Sequence, residues 1–123
     1  MSSSQAIDNK DTVSVRGAAA EGLCPRFHRA VELIGRRWTG AIIRVLIAGP
    51  RRFNELLAAI PGISDRLLTE RLRELEAAAI IRRDVLPESP VRVQYELTCQ
   101  GQELREPLDA LGRWAERWFG PEP

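Results

Sequence analysis

Arg66, Thr69, Glu70 and Arg73 bring a guanidinium, a hydroxyl, a carboxylate and a second guanidinium together over a short stretch. Those groups can read the donors and acceptors on base edges in a major groove. An arginine fork matches the two acceptors of guanine, and one good bidentate pair discriminates by about 1–3 kcal/mol. Cys24, just before Pro25, offers a different chemistry. A thiol at a helix N-terminus is favoured as thiolate, its reactive form, by the helix dipole, and Arg26 stands close by. The same residue also fits a plainer role as a small, partly buried cap. Cys24 and Cys99 are the only cysteines and lie far apart, so neither a disulfide framework nor a zinc site is expected. The single histidine, His28, has no Ser, Cys or carboxylate pair at triad or metal spacing, so no enzyme, metal or cofactor is expected.

Those residues need elements to hold them. The chain has 123 residues, 44% apolar and 28% charged, which suits one folded domain rather than a disordered chain. Residues 1–22 are small and polar without periodicity and read as a flexible tail, leaving 23–123 as the domain. No apolar run approaches the roughly 20 residues of a membrane span, and the first residues lack a signal peptide's pattern, so a cytoplasmic protein without membrane contact is expected. Net charge is only +1, so any nucleic-acid reading rests on how charge is distributed. Lys10 is the only lysine; the other cations are arginines, which suit bidentate bonding.

Helical spacing of Phe27, Val31 and Ile34 predicts a first helix over 25–34, stopped at Gly35. Residues 38–48 predict a second helix, apolar enough to be buried on most sides and ended by Gly49-Pro50. Arg51-Arg52-Phe53 reads as a short strand, and 54–60 as a helix with Leu56, Leu57 and Ile60 inward, closed by Pro61-Gly62. Ser64 is an N-cap candidate and Asp65 complements the helix dipole. The fourth helix then turns Leu68, Leu72, Leu75 and Ala79 to one face, with Arg66, Thr69, Glu70 and Arg73 on the other.

Runs over 80–86 and 91–97 flank Pro87-Glu88-Ser89-Pro90 and predict a hairpin, the second run alternating Val91, Val93, Tyr95 and Leu97 with Arg92, Gln94 and Glu96. Thr98 caps a last helix in which Leu104, Leu108, Leu111, Ala115 and Trp118 form a packing seam that Trp114 and Phe119 widen. Pro107 should kink this helix or open its second part.

Helix, helix, short strand, helix, tight turn, amphipathic helix and hairpin is the order of a winged helix-turn-helix, an α+β fold that is mainly α. Two readings of the outward face of the fourth helix stay open: a DNA-reading surface, or a solvated face laced by charge pairs between Arg66, Glu70, Arg73 and Glu74. Arg82, Arg83 and Arg92 near the hairpin tip favour the first, since they can meet phosphates or a minor groove; Asp84 and Glu88 dilute that charge. The competing function is a winged helix that binds other proteins and not DNA.

The chain resembles the HxlR-type regulators, winged-helix relatives of the MarR group, from about Cys24 to Trp118. The resemblance rests on Cys24-Pro25, Leu33-Ile34-Gly35, Arg37-Trp38-Thr39, the run from Gly49 to Leu56, and Ile60 to Ser64. It continues through Leu68-Thr69, Leu72 to Leu75, Pro87, Pro90, Tyr95 to Thr98 and Gly101. It implies a homodimer held by the first and last helices, with recognition helices in successive major grooves and wings on the flanking backbone. Double-stranded DNA bearing an inverted repeat is the expected partner, and repression the expected outcome. Contacts to DNA are expected from Ser64, Arg66, Thr69, Glu70, Arg73, Arg82, Arg83 and Arg92. The dimer interface is expected at Leu104, Leu108, Leu111, Trp114, Ala115, Trp118 and Phe119, unless that helix packs only on its own subunit. Several family members have a cysteine where Cys24 stands and use it to sense oxidants or electrophiles such as quinones or aldehydes, which makes Cys24 a candidate sensor of an oxidant or small-molecule effector. Cys99 stands where relatives usually carry something else.

Overall fold

Proline at the first helical position, where an amide has no partner in any case, starts α1 (Pro25–Ile34) directly after Cys24. The computed structural model describes residues 24–121; the expected tail over 1–22 lies outside them. The chain divides after Arg36 into two units, and α1 belongs to the first. None of its residues is buried, and Phe27 and Val31 stand in solvent.

In the second unit, α2 (Thr39–Ile47) begins after Trp38, which caps it in the left-handed conformation at φ 78°. Thr39, Ile42, Ile43 and Leu46 are buried, whereas Ala41, Arg44 and Ala48 are exposed. Burial on most sides is what the helix shows, with one open stripe at residues 41 and 44 that continues to the cap residue 48. β1 (Arg51–Arg52) is one residue shorter than expected, because Phe53 already belongs to α3 (Phe53–Ala59). The reason is local. The Arg52 amide donates to Glu55 Oε1 at 2.7 Å, closing the first turn early. That bond, with the Arg52 and Arg51 charges behind it, lowers the pKa of the Glu55 carboxyl.

α4 (Asp65–Ala77) buries Leu68, Leu72 and Leu75. Ala79, expected on the same face, instead lies beyond the helix end, exposed, at φ 63°. Its amide donates to Glu76 O and that of Ile80 to Leu75 O, the bonding of a left-handed helix stop with alanine where glycine is usual. With three alanines in a row and no glycine, the sequence carried no stop signal there.

β2 (Ile81–Leu86) and β3 (Arg92–Leu97) form an antiparallel hairpin, and β1 pairs on the far edge of β3. Ile81 opposite Leu97 roots the hairpin in the core; Val85 and Val91, nearer the tip, are exposed. Thr98 ties its exit to the end of α4: the hydroxyl donates to Ala79 O at 2.6 Å and accepts from the Gly101 amide at 3.1 Å. Gly101 is obligatory, since a Cβ there would overlap the Ile80 carbonyl. The last helical segment is two helices, α5 (Cys99–Gln102) and α6 (Arg105–Trp118). The break falls at Glu103-Leu104, not at Pro107, which sits in the first turn of α6 where its missing amide costs no ladder bond.

Candidate nucleic-acid interface

The turn between α3 and α4 sets the angle of the second helix. Gly62 has φ 97°, open to glycine without strain, and a Cβ on it would come within 3.2 Å of the Trp38 ring. Two residues later Ser64 Oγ accepts the Leu67 amide at 3.1 Å, and Asp65 opens the helix, as the sequence indicates. Arg66 is therefore thrown outward from the first turn. Arg73, seven residues on, lies on nearly the same face about 10 Å along the axis.

Both arginines are exposed, and among the described residues neither has a hydrogen bond or ion pair. The charge lacing that would make this a self-satisfied surface is not formed by them. Glu70 and Glu74 lean instead on Arg71, at 3.8 Å and 3.1 Å. Thr69 is half-buried between the two faces and Glu70 is exposed.

The wing is organised differently. Arg82 pairs across the strands with Glu96 at 2.7 Å and along its own strand with Asp84 at 3.4 Å. The Glu96 charge, and less so that of Asp84, raises the guanidinium's pKa further. Arg92 is leashed to Glu88 at 3.3 Å. Arg83, opposite Tyr95 on the other face, is exposed and has no partner among the described residues. Of the three wing arginines expected to meet phosphate, two are thus already neutralised from within.

The Cys24 thiol is exposed at the open end of α1. It makes no capping bond, yet the amides of Phe27 and then Arg26 lie close enough to hold it below the ordinary thiol range, with the Arg26 side chain adding to the effect. Cys99 is exposed at the start of α5.

The expected seam on α6 splits in two. Leu108 is buried and Leu104 is half-buried, whereas Leu111, Trp114, Trp118 and Phe119 are 51–65% exposed, with Ala115 half-buried among them. Trp114 and Phe119 meet edge to face at 5.3 Å. Arg44 anchors the inner end, donating to Leu108 O at 3.2 Å and pairing with Asp109 at 3.4 Å.

The family model for the HxlR-like helix-turn-helix matches residues 33–123. The chain belongs to this family. It is 46% identical over 99 residues to the HTH-type transcriptional regulator YodB of Bacillus subtilis (strain 168), covering 80% of this chain and 88% of YodB. It is 44% identical over 99 residues to the uncharacterised HTH-type transcriptional regulator YvaP of the same strain, covering 80% and 92%. Among solved structures, reduced YodB from B. subtilis superposes with a TM-score of 0.74 at 45% identity, over 81% of this chain and 98% of that one. Its quinone-bound form gives 0.69 at 42% identity, over 77% and 99%. The redox regulator HypR in its oxidised form gives 0.73 at 36% identity, over 80% and 100%.

This HxlR-like protein is accordingly a transcriptional regulator with a DNA-binding helix-turn-helix in a winged-helix fold; it is not an enzyme. Among the described residues, no helix is long and apolar enough to cross a membrane. Sequence reasoning missed Arg71 and Arg44. For Arg71 a signal existed: it falls three residues after Leu68 and four before Leu75, so the leucine periodicity itself places a charge on the buried stripe.

Proposed function

We propose that this regulator is a cytoplasmic homodimer that represses transcription from an inverted-repeat operator and is released when Cys24 reacts with an oxidant or electrophile. The observation that carries the reading is the pair of exposed, unpartnered guanidiniums on α4. Arg66 and Arg73 meet guanine edges, Thr69 and Glu70 take neighbouring bases, and the first turn at Ser64 lies against the phosphates. Arg83 supplies the wing's phosphate contact. Arg82 stiffens the hairpin rather than touching DNA, and Arg92 reaches phosphate only by leaving Glu88.

Dimerisation explains the apolar surface. Leu111, Trp114, Trp118 and Phe119 on α6, and Phe27 and Val31 on α1, are large apolar side chains left in water by a single chain. A second copy covers them, and its two-fold axis sets half-sites about one helical turn apart.

At Cys24 the thiolate adds to a ring carbon of a quinone; as the C–S bond forms, the ring C=C electrons move onto a carbonyl oxygen, which takes a proton from solvent, and the hydrogen of the attacked carbon is then lost as a proton while the second oxygen gains one, leaving a hydroquinone thioether. The quinone-bound form of YodB and the redox regulator HypR, both similar to this chain, support that class of effector.

The test is a shift assay on the DNA upstream of the regulator's own gene, at several salt concentrations with and without a quinone. A DNA reader shows a log–log salt slope of about −0.9 per phosphate neutralised. Release on quinone addition, abolished in Cys24→Ser, is the expected result. A salt-independent interaction, or none with any duplex, would instead leave a protein-binding winged helix.

A further inference from the structure

Among the described residues Arg71 is the one ionisable side chain in the core, 7% exposed. A buried guanidinium is costly unless its donors are met by acceptors, and removing those acceptors leaves an uncompensated charge. Here Nε donates to the Arg37 carbonyl at 2.9 Å and Nη1 to Glu74 Oε2 at 3.1 Å, with Glu70 Oε1 at 3.8 Å.

The Arg37 carbonyl belongs to a constrained joint. It precedes Trp38, which holds a left-handed φ of 78°, and the Arg37 guanidinium lies 4.9 Å over the Trp38 ring. The same ring packs on Gly62 in the turn that launches α4. The recognition helix is thus fastened to one joint twice, at the turn before it through Gly62 and at its middle through Arg71.

The second fastening has consequences for the exposed face. A helix turns about 100° per residue, so fixing Arg71 inward fixes where Arg66 and Arg73 point. It also occupies carboxylates. Glu70 is four residues from Arg66 and three from Arg73, the spacings at which a free glutamate pairs with either arginine.

We propose that Arg71 is a positioning residue for operator recognition: it fixes the rotation of α4 against the Arg37–Trp38 joint and holds Glu70 and Glu74 in ion pairs, leaving Arg66 and Arg73 uncompensated for the bases. This rests on α4 being the reading element. Without the anchor, the leucines still hold the helix to the core but its rotation is fixed less tightly, and Glu70 is free to neutralise the arginines beside it.

The experiment compares Arg71→Met, Arg71→Lys and Arg66→Ala with the parent, in the full-length protein. Each is measured for folded fraction by circular dichroism and for affinity to the operator and to a random duplex. In folded Arg71→Met, operator affinity is expected to fall about tenfold or more while random-duplex affinity holds within about twofold, with Arg71→Lys in between. A residue that merely supports folding would lower the melting temperature and leave the ratio of the two affinities in the folded protein unchanged. If Arg71→Met does not fold, Arg71→Lys decides by the same ratio. A parent-like ratio in the Arg71 variants while Arg66→Ala loses it overturns the positioning role alone. A parent-like ratio in Arg66→Ala as well overturns the assignment of α4 as reader, and this inference with it.

Discussion

Arg66 and Arg73 on α4 stand in solvent and form no ion pair among the described residues, whereas Arg82 and Arg92 in the wing are held by carboxylates at 2.7 Å and 3.3 Å. The two regions look alike by composition, since each presents arginines beside acidic residues. They differ in where the acids are satisfied. On the helix a buried arginine takes the glutamates; on the hairpin the glutamates take the exposed arginines. Net charge of +1 therefore says little about the field a phosphate meets, because pairing decides which cations remain available.

The contrast breaks most readily at the helix. Arg66→Ala and Arg73→Ala are each expected to lower operator affinity by about 10- to 100-fold, the loss of a bidentate base contact, and to relax preference at one base position in each half-site. Footprinting and competition with base-substituted operators measure both. Equal weakening on every sequence would make these residues phosphate contacts instead.

Arg83→Ala sharpens the wing's side. It should cost roughly tenfold or less, uniformly across sequences, and reduce the magnitude of the salt slope by about 0.9. An unchanged slope would leave the wing without a phosphate contact from this residue.

The smallest change is expected from uncovering a paired cation. Glu96→Gln leaves Arg82 with Asp84 alone, so affinity for random duplex should rise about twofold, with a slightly steeper salt dependence. A fall in affinity would mean that the pair shapes the wing more than it masks charge.

Environment also acts on the Cys24 thiol. The amides of Phe27 and Arg26 favour the charged form of Cys24, so its thiolate persists to lower pH than an ordinary thiol's. Alkylation of Cys24 by iodoacetamide, followed by peptide mapping, should reach its plateau at a lower pH than a free cysteine in solution, and slow as pH falls through that depressed value. A plateau in the ordinary thiol range would remove the helix end as the cause.

What could be read from the sequence follows from range. Pro25, Gly49-Pro50, Pro61-Gly62 and the Ser64 cap act on their neighbours, so the helices and the turn between α3 and α4 were legible. The hairpin was legible from the alternation along 91–97 and its proline-bounded tip. Ala79 was not, because its left-handed conformation is imposed by the Thr98 hydroxyl and the strand that follows it rather than by its own preference. The wing's ion pairs needed the strand register: Arg82 faces Glu96 only once Ile81 faces Leu97. On α6, spacing gave one continuous seam, and only the fold separates Leu108, which the chain buries, from Trp114 and Trp118, which it leaves in water. On α4, spacing told the exposed face from the buried one but not which arginines stay unpaired, a matter of which carboxylates lie beside Arg71 in the folded chain.

The most direct measurement sets two double variants side by side, Arg66→Ala/Arg73→Ala and Arg82→Ala/Arg92→Ala, titrated onto the operator and onto a random duplex at one salt concentration. The account predicts that the helix variant binds the operator no better than random sequence, while the wing variant stays within about threefold of the parent on both. Operator preference retained by the helix variant and lost by the wing variant would contradict it.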